Sequence, residues 1–106
     1  MSEVPEIDVR TLAEERAEGA PLVDVRRPDE WEDVRAPGAV LIPLGDLVAR
    51  VDEVPTDATV YVICRTGARS AKAVEYLRSA GVDAVNVAGG TLAWRDAGLP
   101  TDTGPG

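Results

Sequence analysis

The segment Val60–Ile63 reads Val-Tyr-Val-Ile, an unbroken apolar run that leads directly into Cys64. A strand whose successive side chains are all apolar is buried on both faces, which is typical of a central strand in a parallel sheet covered by helices. The run therefore predicts a layered α/β fold. It also places Cys64 at the carboxyl end of a strand, which is where open α/β sheets bind their ligands.

Strand-like and helix-like segments alternate along the rest of the chain. The sequence predicts strands at residues 7–9, 22–25, 39–42, 59–63 and 85–87, and helical segments at residues 11–18, 28–32, 44–51, 71–80 and 91–96. In the segment 44–51 the residues Leu44, Leu47, Val48 and Val51 fall on one helical face. Five short strands that alternate with helices indicate a parallel α/β sheet.

The chain has 106 residues, which is enough for one domain and too few for two. The domain is placed at residues 6–100. Residues 1–5 and 101–106 lack a periodic pattern, and the sequence predicts that both ends are flexible.

The composition excludes several classes of site. Histidine is absent and Cys64 is the only cysteine, so an internal disulfide, a Cys–His dyad and an ordinary zinc site are excluded. A net charge of −8 argues against nucleic acid as a partner. No apolar stretch is long enough to span a membrane, and a single unpaired thiol fits a reducing cytoplasm. We therefore expect a cytoplasmic protein without a metal or an organic cofactor, while the oligomeric state stays open.

The segment after the apolar run carries the candidate chemistry, and it reads Cys64-Arg65-Thr66-Gly67-Ala68-Arg69-Ser70. Gly67 allows the backbone to take a positive φ, so that successive N–H groups can turn inwards. Together with the start of the following helix, these groups would form a cradle for an anion and would lower the pKa of a thiol. A thiolate is one such anion, and a persulfide on the same sulfur is another.

Each of these residues also has a purely structural interpretation. A lone cysteine is often a buried small hydrophobe, and Ser70 would serve equally well as a helix cap. Arg65 and Arg69 are either anion partners or solvated side chains. Asp24 lies inside an apolar strand, so we expect it to be hydrogen-bonded to neighbouring backbone or to Arg26.

Other polar and aromatic residues favour structural roles. Glu30 is either a solvated helix residue or the partner of a nearby arginine. Trp31 and Trp94 are expected to pack in the core or at its edge.

The cysteine segment resembles the active-site loop of the rhodanese family. Further matches lie along the chain, and in order they are Asp24-Val25-Arg26, Glu30-Trp31, Pro37-Gly38-Ala39, Ile42-Pro43, Val87-Ala88-Gly89-Gly90, Trp94 and Gly98-Leu99-Pro100. One segment departs from the family pattern, because Val34-Arg35-Ala36 stands where the family usually has Gly-His-Ile.

The resemblance implies a three-layer α/β/α fold with a five-stranded parallel sheet in the order 1-5-4-2-3. It also implies a sulfurtransferase that moves sulfur from thiosulfate or a persulfide donor to a thiol or cyanide, through a persulfide on Cys64. The nucleophile would be Cys64, with Asp24 and Arg26 as structural support. The substrate-binding residues would be Arg65, Thr66, Gly67, Ala68, Arg69 and Ser70.

Two other functions stay open at this stage. One is a sulfur-carrier or docking module, in which Cys64 passes sulfur only within a complex with a sulfur-accepting protein. The other is a phosphatase or an arsenate reductase that uses the same cradle. Four residues separate Cys64 from Arg69. The related cell-cycle phosphatases have one more, so the resemblance in loop length favours sulfur over phosphate.

Overall fold

The computed structural model describes residues 4–105, so residues 1–3 of the predicted flexible N-terminus and Gly106 lie outside the described residues. Its strands are β1 (Glu6–Ile7), β2 (Leu22–Asp24), β3 (Val40–Leu41), β4 (Val60–Ile63) and β5 (Ala84–Val87). The α-helices are α1 (Val9–Ala17), α2 (Pro28–Asp33), α3 (Ala68–Ser79) and α4 (Gly90–Asp96). The strands form one sheet in the order β1-β5-β4-β2-β3, and neighbouring strands are parallel. The predicted α/β fold and its strand order are confirmed.

Strand β4 lies at the centre of the sheet, and all four of its residues are buried. Because side chains alternate along a strand, Val60 and Val62 face one layer, while Tyr61 and Ile63 face the other. The first layer is covered by α3 and the second by α1 and α4. Each fully buried aliphatic side chain stabilises the fold by about 1.5–3 kcal/mol. This burial on both faces fixes the direction of β4 and hence the position of Cys64 beyond its end.

The predicted helix at residues 44–51 is wrong. The segment forms two short 3₁₀ helices, Leu44–Asp46 and Val51–Glu53, and 66% of Val48 is exposed. Glycine at position 45 disfavours a helix interior, and Arg50 has φ −112° and ψ 16°, outside the helical region. The N–H of Leu44 donates to the carbonyl of Val25, which ties this segment to the end of β2.

The segment that departs from the family pattern is held by its arginine. Arg35 is buried and pairs through its backbone with Asp102, with N···O distances of 3.0 and 2.9 Å. Its guanidinium donates to the carbonyls of Trp31 and Gly104, and it lies 4.7 Å from the centre of the Trp31 ring. Residues 102 and 104 thus contact the domain, and the flexibility predicted for residues 101–106 stays a prediction.

Among residues 4–105, the structure has no helix that is both long and apolar enough to cross a membrane.

Candidate active site

Cys64 follows β4 directly, and only 1% of the residue is exposed. Its Sγ accepts hydrogen bonds from the backbone N–H of Gly67 at 3.1 Å and from the hydroxyl of Ser70 at 3.2 Å. Gly67 has φ +112° and precedes the first residue of α3, so this turn requires glycine. The cysteine sulfur therefore lies inside a cradle formed by the loop and the first turn of α3.

The cradle changes the acidity of the cysteine. Burial by itself raises the pKa of the Cys64 thiol, because it disfavours the charged form. Hydrogen bonds from the Ser70 hydroxyl and from the backbone N–H groups of Ser70, Gly67 and Thr66 act in the opposite direction. The net result is a pKa below the ordinary value for cysteine. The N-terminus of α3 adds a partial positive charge, so the site favours a thiolate.

The N-terminus of α4 holds the other side of the loop. Thr91 donates to the carbonyl of Cys64 from its backbone N–H at 2.8 Å and from its hydroxyl at 3.0 Å, and Leu92 N–H donates to the carbonyl of Arg65 at 3.2 Å. Gly90 has φ +59°, and a Cβ there would lie 2.5 Å from both loop carbonyl oxygens. Glycine is therefore required for α4 to approach the loop, which leaves the loop N–H groups free to face the sulfur.

Arg69 forms a bidentate ion pair with Glu30 of α2, with N···O distances of 2.7 and 2.8 Å. The hydrogen bond from Arg69 is the main reason that the pKa of Glu30 is lowered to about 2. The sequence predicts Arg69 as a substrate-binding residue, and the structure gives its guanidinium a carboxylate partner at the edge of the cradle. Any anion that binds Arg69 has to compete with Glu30.

The remaining predicted substrate-binding residues differ in exposure. Arg65 is exposed and lines a small cavity of about 130 Å³, together with Glu30 and Arg95. Thr66 is also exposed, and its backbone N–H helps to lower the pKa of the Cys64 thiol. Ala68 is exposed and begins α3. Of these three residues, Thr66 has a resolved effect on the acidity of Cys64.

Asp24 and Arg26 form a second ion pair beneath the site. Both carboxylate oxygens of Asp24 accept from the guanidinium at 2.7–3.0 Å, and one of them also accepts from the backbone N–H of Arg26. The same guanidinium donates to the carbonyl of Val34 at 2.7 Å and to that of Glu30 at 3.3 Å. This buried pair therefore ties α2, which carries Glu30, to the end of β2.

Sequence reasoning missed three residues of the site, namely Asn86, Gly90 and Thr91. Asn86 lies on β5 and is 3% exposed, and its side chain contacts both Ser70 and Gly67. A polar residue between Val85 and Val87 in an apolar strand was the available signal for it. The Gly89-Gly90 pair before α4 was the signal for the close approach of that helix.

Within residues 4–105, no group of three or more cysteine, aspartate or glutamate side chains is arranged to hold a metal ion. The cradle itself offers N–H and hydroxyl donors, which are suited to an anion.

The structure places a cysteine cradle at the end of the central strand of a parallel sheet. This combination defines a class of domain, and comparison with known proteins identifies the family. The sequence matches the rhodanese-like domain family over residues 8–97, and the chain belongs to that family. Among its relatives is a protein named "Sulfurtransferase" from Allochromatium vinosum, 40% identical over 100 residues, which cover 92% of this chain and 94% of the relative.

Solved structures of similar proteins agree with this assignment. A rhodanese-related protein from Thermoplasma volcanium superposes with a TM-score of 0.87 at 32% identity, covering 92% of this chain and 97% of the other. A rhodanese-like domain protein from Staphylococcus aureus gives a TM-score of 0.84 at 37% identity, with the same coverage of both chains.

Proposed function

We propose that this protein is a sulfurtransferase that carries sulfur as a persulfide on Cys64. The observation that carries the proposal is the environment of Cys64 Sγ, which accepts from the Gly67 N–H at 3.1 Å and the Ser70 hydroxyl at 3.2 Å. These donors stabilise a thiolate, which is the nucleophilic form of cysteine. The name of the Allochromatium vinosum relative supports the same activity.

In the first half of the reaction the Cys64 thiolate attacks the outer sulfur of a donor such as thiosulfate. A bond forms between Sγ and that sulfur, while the S–S bond of thiosulfate breaks and sulfite leaves with the electron pair. The negative charge then resides on the outer sulfur of the persulfide. The N–H groups of the loop and the N-terminus of α3 would hold that charge as they hold the thiolate.

In the second half an acceptor takes the outer sulfur. Cyanide or the thiolate of a small thiol attacks it, the persulfide S–S bond breaks, and the Cys64 thiolate leaves with the electron pair. The cycle restores the starting enzyme and needs neither a metal nor an organic cofactor. A sulfur-accepting protein could replace the small acceptor, since only a nucleophile that reaches the outer sulfur is required.

The position of Arg69 distinguishes this proposal from phosphatase chemistry. Phosphoryl transfer needs charge stabilisation aimed at the transferring oxygens. Both terminal nitrogens of Arg69 donate to Glu30, so a clamp on a phosphoryl group would first have to break this ion pair, and only four residues separate Arg69 from Cys64. Sulfur transfer needs no such clamp, because the charge sits on one sulfur atom that the backbone N–H groups can reach.

Intact mass spectrometry after incubation with thiosulfate tests the proposal. The wild-type protein should gain the mass of one sulfur atom, and cyanide should remove it. Cys64→Ser should stay at its original mass, because a serine hydroxyl forms no persulfide. If wild-type protein gained no sulfur, or if Cys64→Ser gained as much as the wild type, the proposal would be wrong. Turnover of an aryl phosphate without sulfur loading would favour the phosphatase.

A further inference from the structure

The hydroxyl of Ser70 lies between two hydrogen-bond acceptors. It is 3.2 Å from Cys64 Sγ and 2.5 Å from Asn86 Oδ1, and Ser70 and Asn86 are 0% and 3% exposed. A serine hydroxyl has one proton to donate. The two acceptors therefore compete for it, and whichever loses is left in a buried position without this donor.

The orientation of the Asn86 amide is fixed by its other contacts. Its Nδ2 lies 3.2 Å from the carbonyl oxygen of Gly67 and 3.3 Å from a carboxylate oxygen of Glu6. Both partners are acceptors, so an amide turned the other way would bring oxygen against oxygen. Oδ1 therefore faces Ser70, and Asn86 is held as an acceptor for its hydroxyl.

We propose that Asn86 is a positioning residue that competes with Cys64 for the single hydroxyl proton of Ser70 and so disfavours the bare thiolate relative to the sulfur-loaded cysteine. When Cys64 is a thiol, the Ser70 hydroxyl donates to Asn86, because a neutral thiol is a weak acceptor. When Cys64 is a thiolate, the hydroxyl donates to the sulfur and Asn86 loses this hydrogen bond. The sulfur-loaded case rests on the proposed function. There the inner sulfur is a neutral disulfide-type atom and a weak acceptor, so the Ser70 proton returns to Asn86.

Several charged groups surround the cradle, and they are unchanged in the leucine, alanine and Ser70→Ala variants used below, whereas Asn86→Asp adds one carboxylate. Arg65 and Arg69 belong to the loop and α3, Glu30 lies on α2, and the Asp24–Arg26 pair lies at the end of β2. A fourth element, β1, contributes Glu6, which reaches the cradle through Asn86. The competition for one proton therefore has to be separated from these fixed charges by changing the acceptor and the donor independently.

The test measures the ratio of thiolate to thiol by ultraviolet absorbance as a function of pH, with Cys64→Ser as the blank. Asn86→Leu keeps the branching and the number of side-chain heavy atoms and removes the acceptor, so Ser70 donates only to the sulfur. At a pH below the wild-type midpoint, the ratio should rise by about two- to ten-fold, the value of one hydrogen bond. Asn86→Asp keeps an acceptor oxygen and adds a negative charge, both of which disfavour the thiolate, so the ratio should not rise. Asn86→Ala replaces Asn86→Leu if the leucine variant does not fold.

A double-mutant comparison separates competition from general disturbance of the loop. In a Ser70→Ala background no hydroxyl remains, so Asn86→Leu should leave the thiolate ratio unchanged. A rise that persists without Ser70 would overturn the inference. An unchanged or lower thiolate ratio in Asn86→Leu would also overturn it. So would a rise in both Asn86→Leu and Asn86→Asp, because loss of the acceptor could not then explain the rise.

The sulfur-loaded state gives a second readout. The measurement uses a fixed ratio of thiosulfate to sulfite at a pH where the cysteine is ionised. Under these conditions the ratio of sulfur-loaded to unloaded protein should be about two- to ten-fold lower in Asn86→Leu than in the wild type. An equal or higher ratio would contradict the inference. If the wild-type protein takes up no sulfur, the proposed function fails, while the thiolate measurement still decides the role of Asn86.

Discussion

Two arginine–carboxylate pairs flank helix α2, and they differ in their access to solvent. The side chains of Asp24 and Arg26 are 0% and 3% exposed, whereas those of Glu30 and Arg69 are 14% and 32% exposed. Both pairs are short, with closest N···O distances of 2.7 Å. Geometry alone would therefore assign them the same role, and burial distinguishes them.

The difference indicates what each pair can do. A buried pair cannot exchange partners without leaving a charge uncompensated, so Asp24–Arg26 acts as a fixed anchor for α2. A partly exposed pair contributes little to stability, and water can replace either partner during exchange. We therefore propose that the Glu30–Arg69 pair opens towards an anionic donor, while the Asp24–Arg26 pair stays intact.

The largest expected effect comes from breaking the buried pair. Asp24→Ala leaves the Arg26 guanidinium buried without its carboxylate, and it should lower the free energy of unfolding by about 3–5 kcal/mol. Glu30→Gln is the comparison on the partly exposed pair and should cost about 0–1 kcal/mol. Urea denaturation of both variants measures the contrast. Equal losses would remove the distinction drawn between the two pairs.

The next effect concerns donor binding by Arg69. An arginine–anion contact is worth about 1.5–3 kcal/mol, but Arg69 first has to leave Glu30, so Arg69→Ala should raise the thiosulfate KM by about ten-fold, the low end of that range. Arg65→Ala is the control on an exposed arginine that has no carboxylate contact among residues 4–105, and it should raise KM less. High salt should reduce the difference. Identical kinetics for wild type and Arg69→Ala would mean that the backbone N–H groups alone bind the donor.

A smaller effect of the opposite sign is expected for the partner carboxylate. Glu30→Gln removes a negative charge from the edge of the cradle and frees the Arg69 guanidinium for the donor. The thiosulfate KM should therefore fall by about three-fold, since one screened charge near the surface contributes about 1 kcal/mol or less. Steady-state kinetics at low ionic strength measure the change. A KM that rises would show that Glu30 positions Arg69 for the donor instead of competing with it.

The smallest expected effect is the pH dependence of the stability that the partly exposed Glu30–Arg69 pair contributes. Glu30 has its pKa lowered from 4.5 to about 2 by Arg69, so its stabilising contribution is complete above pH 4.5. It is lost as the pH falls through about 2, where the folded protein takes up the proton. The difference in unfolding free energy between wild type and Glu30→Gln should therefore shrink over this window, by about 1 kcal/mol or less because solvent screens the partly exposed pair. A difference that is constant with pH would mean that the pair does not form in solution.

The sequence predicted the elements whose pattern is local. The apolar run of β4 and the alternation of strands and helices were enough to predict a parallel sheet with Cys64 at the carboxyl end of one of its strands. The segment at residues 44–51 shows the limit of this reasoning, because its apolar spacing suits a helix. The structure has two 3₁₀ turns there, with the backbone of Leu44 bonded to Val25 at the end of β2.

The site was predictable to the same extent. Gly67 and the residues around it form one continuous segment, so the cradle could be predicted from their order. The contact of Ser70 with Asn86 could not, and the sequence left open whether Glu30 pairs with an arginine, because Asn86 and Glu30 lie 16 and 39 residues away from Ser70 and Arg69 along the chain. Local spacing carries no information on which distant polar side chain will satisfy a buried or half-buried group.

The sequence by itself determined a central apolar strand, a glycine-containing loop after it, and a lone cysteine between them. These features can be predicted locally, because they follow from the alternation of side chains along a strand and from backbone conformations that only glycine adopts readily. Only the tertiary structure decided that Arg69 pairs with Glu30, that the Ser70 hydroxyl lies between Cys64 Sγ and Asn86 Oδ1, and that Gly90 lets α4 hold the loop. Each of these depends on distances between elements that are brought together only when the sheet and its helices pack.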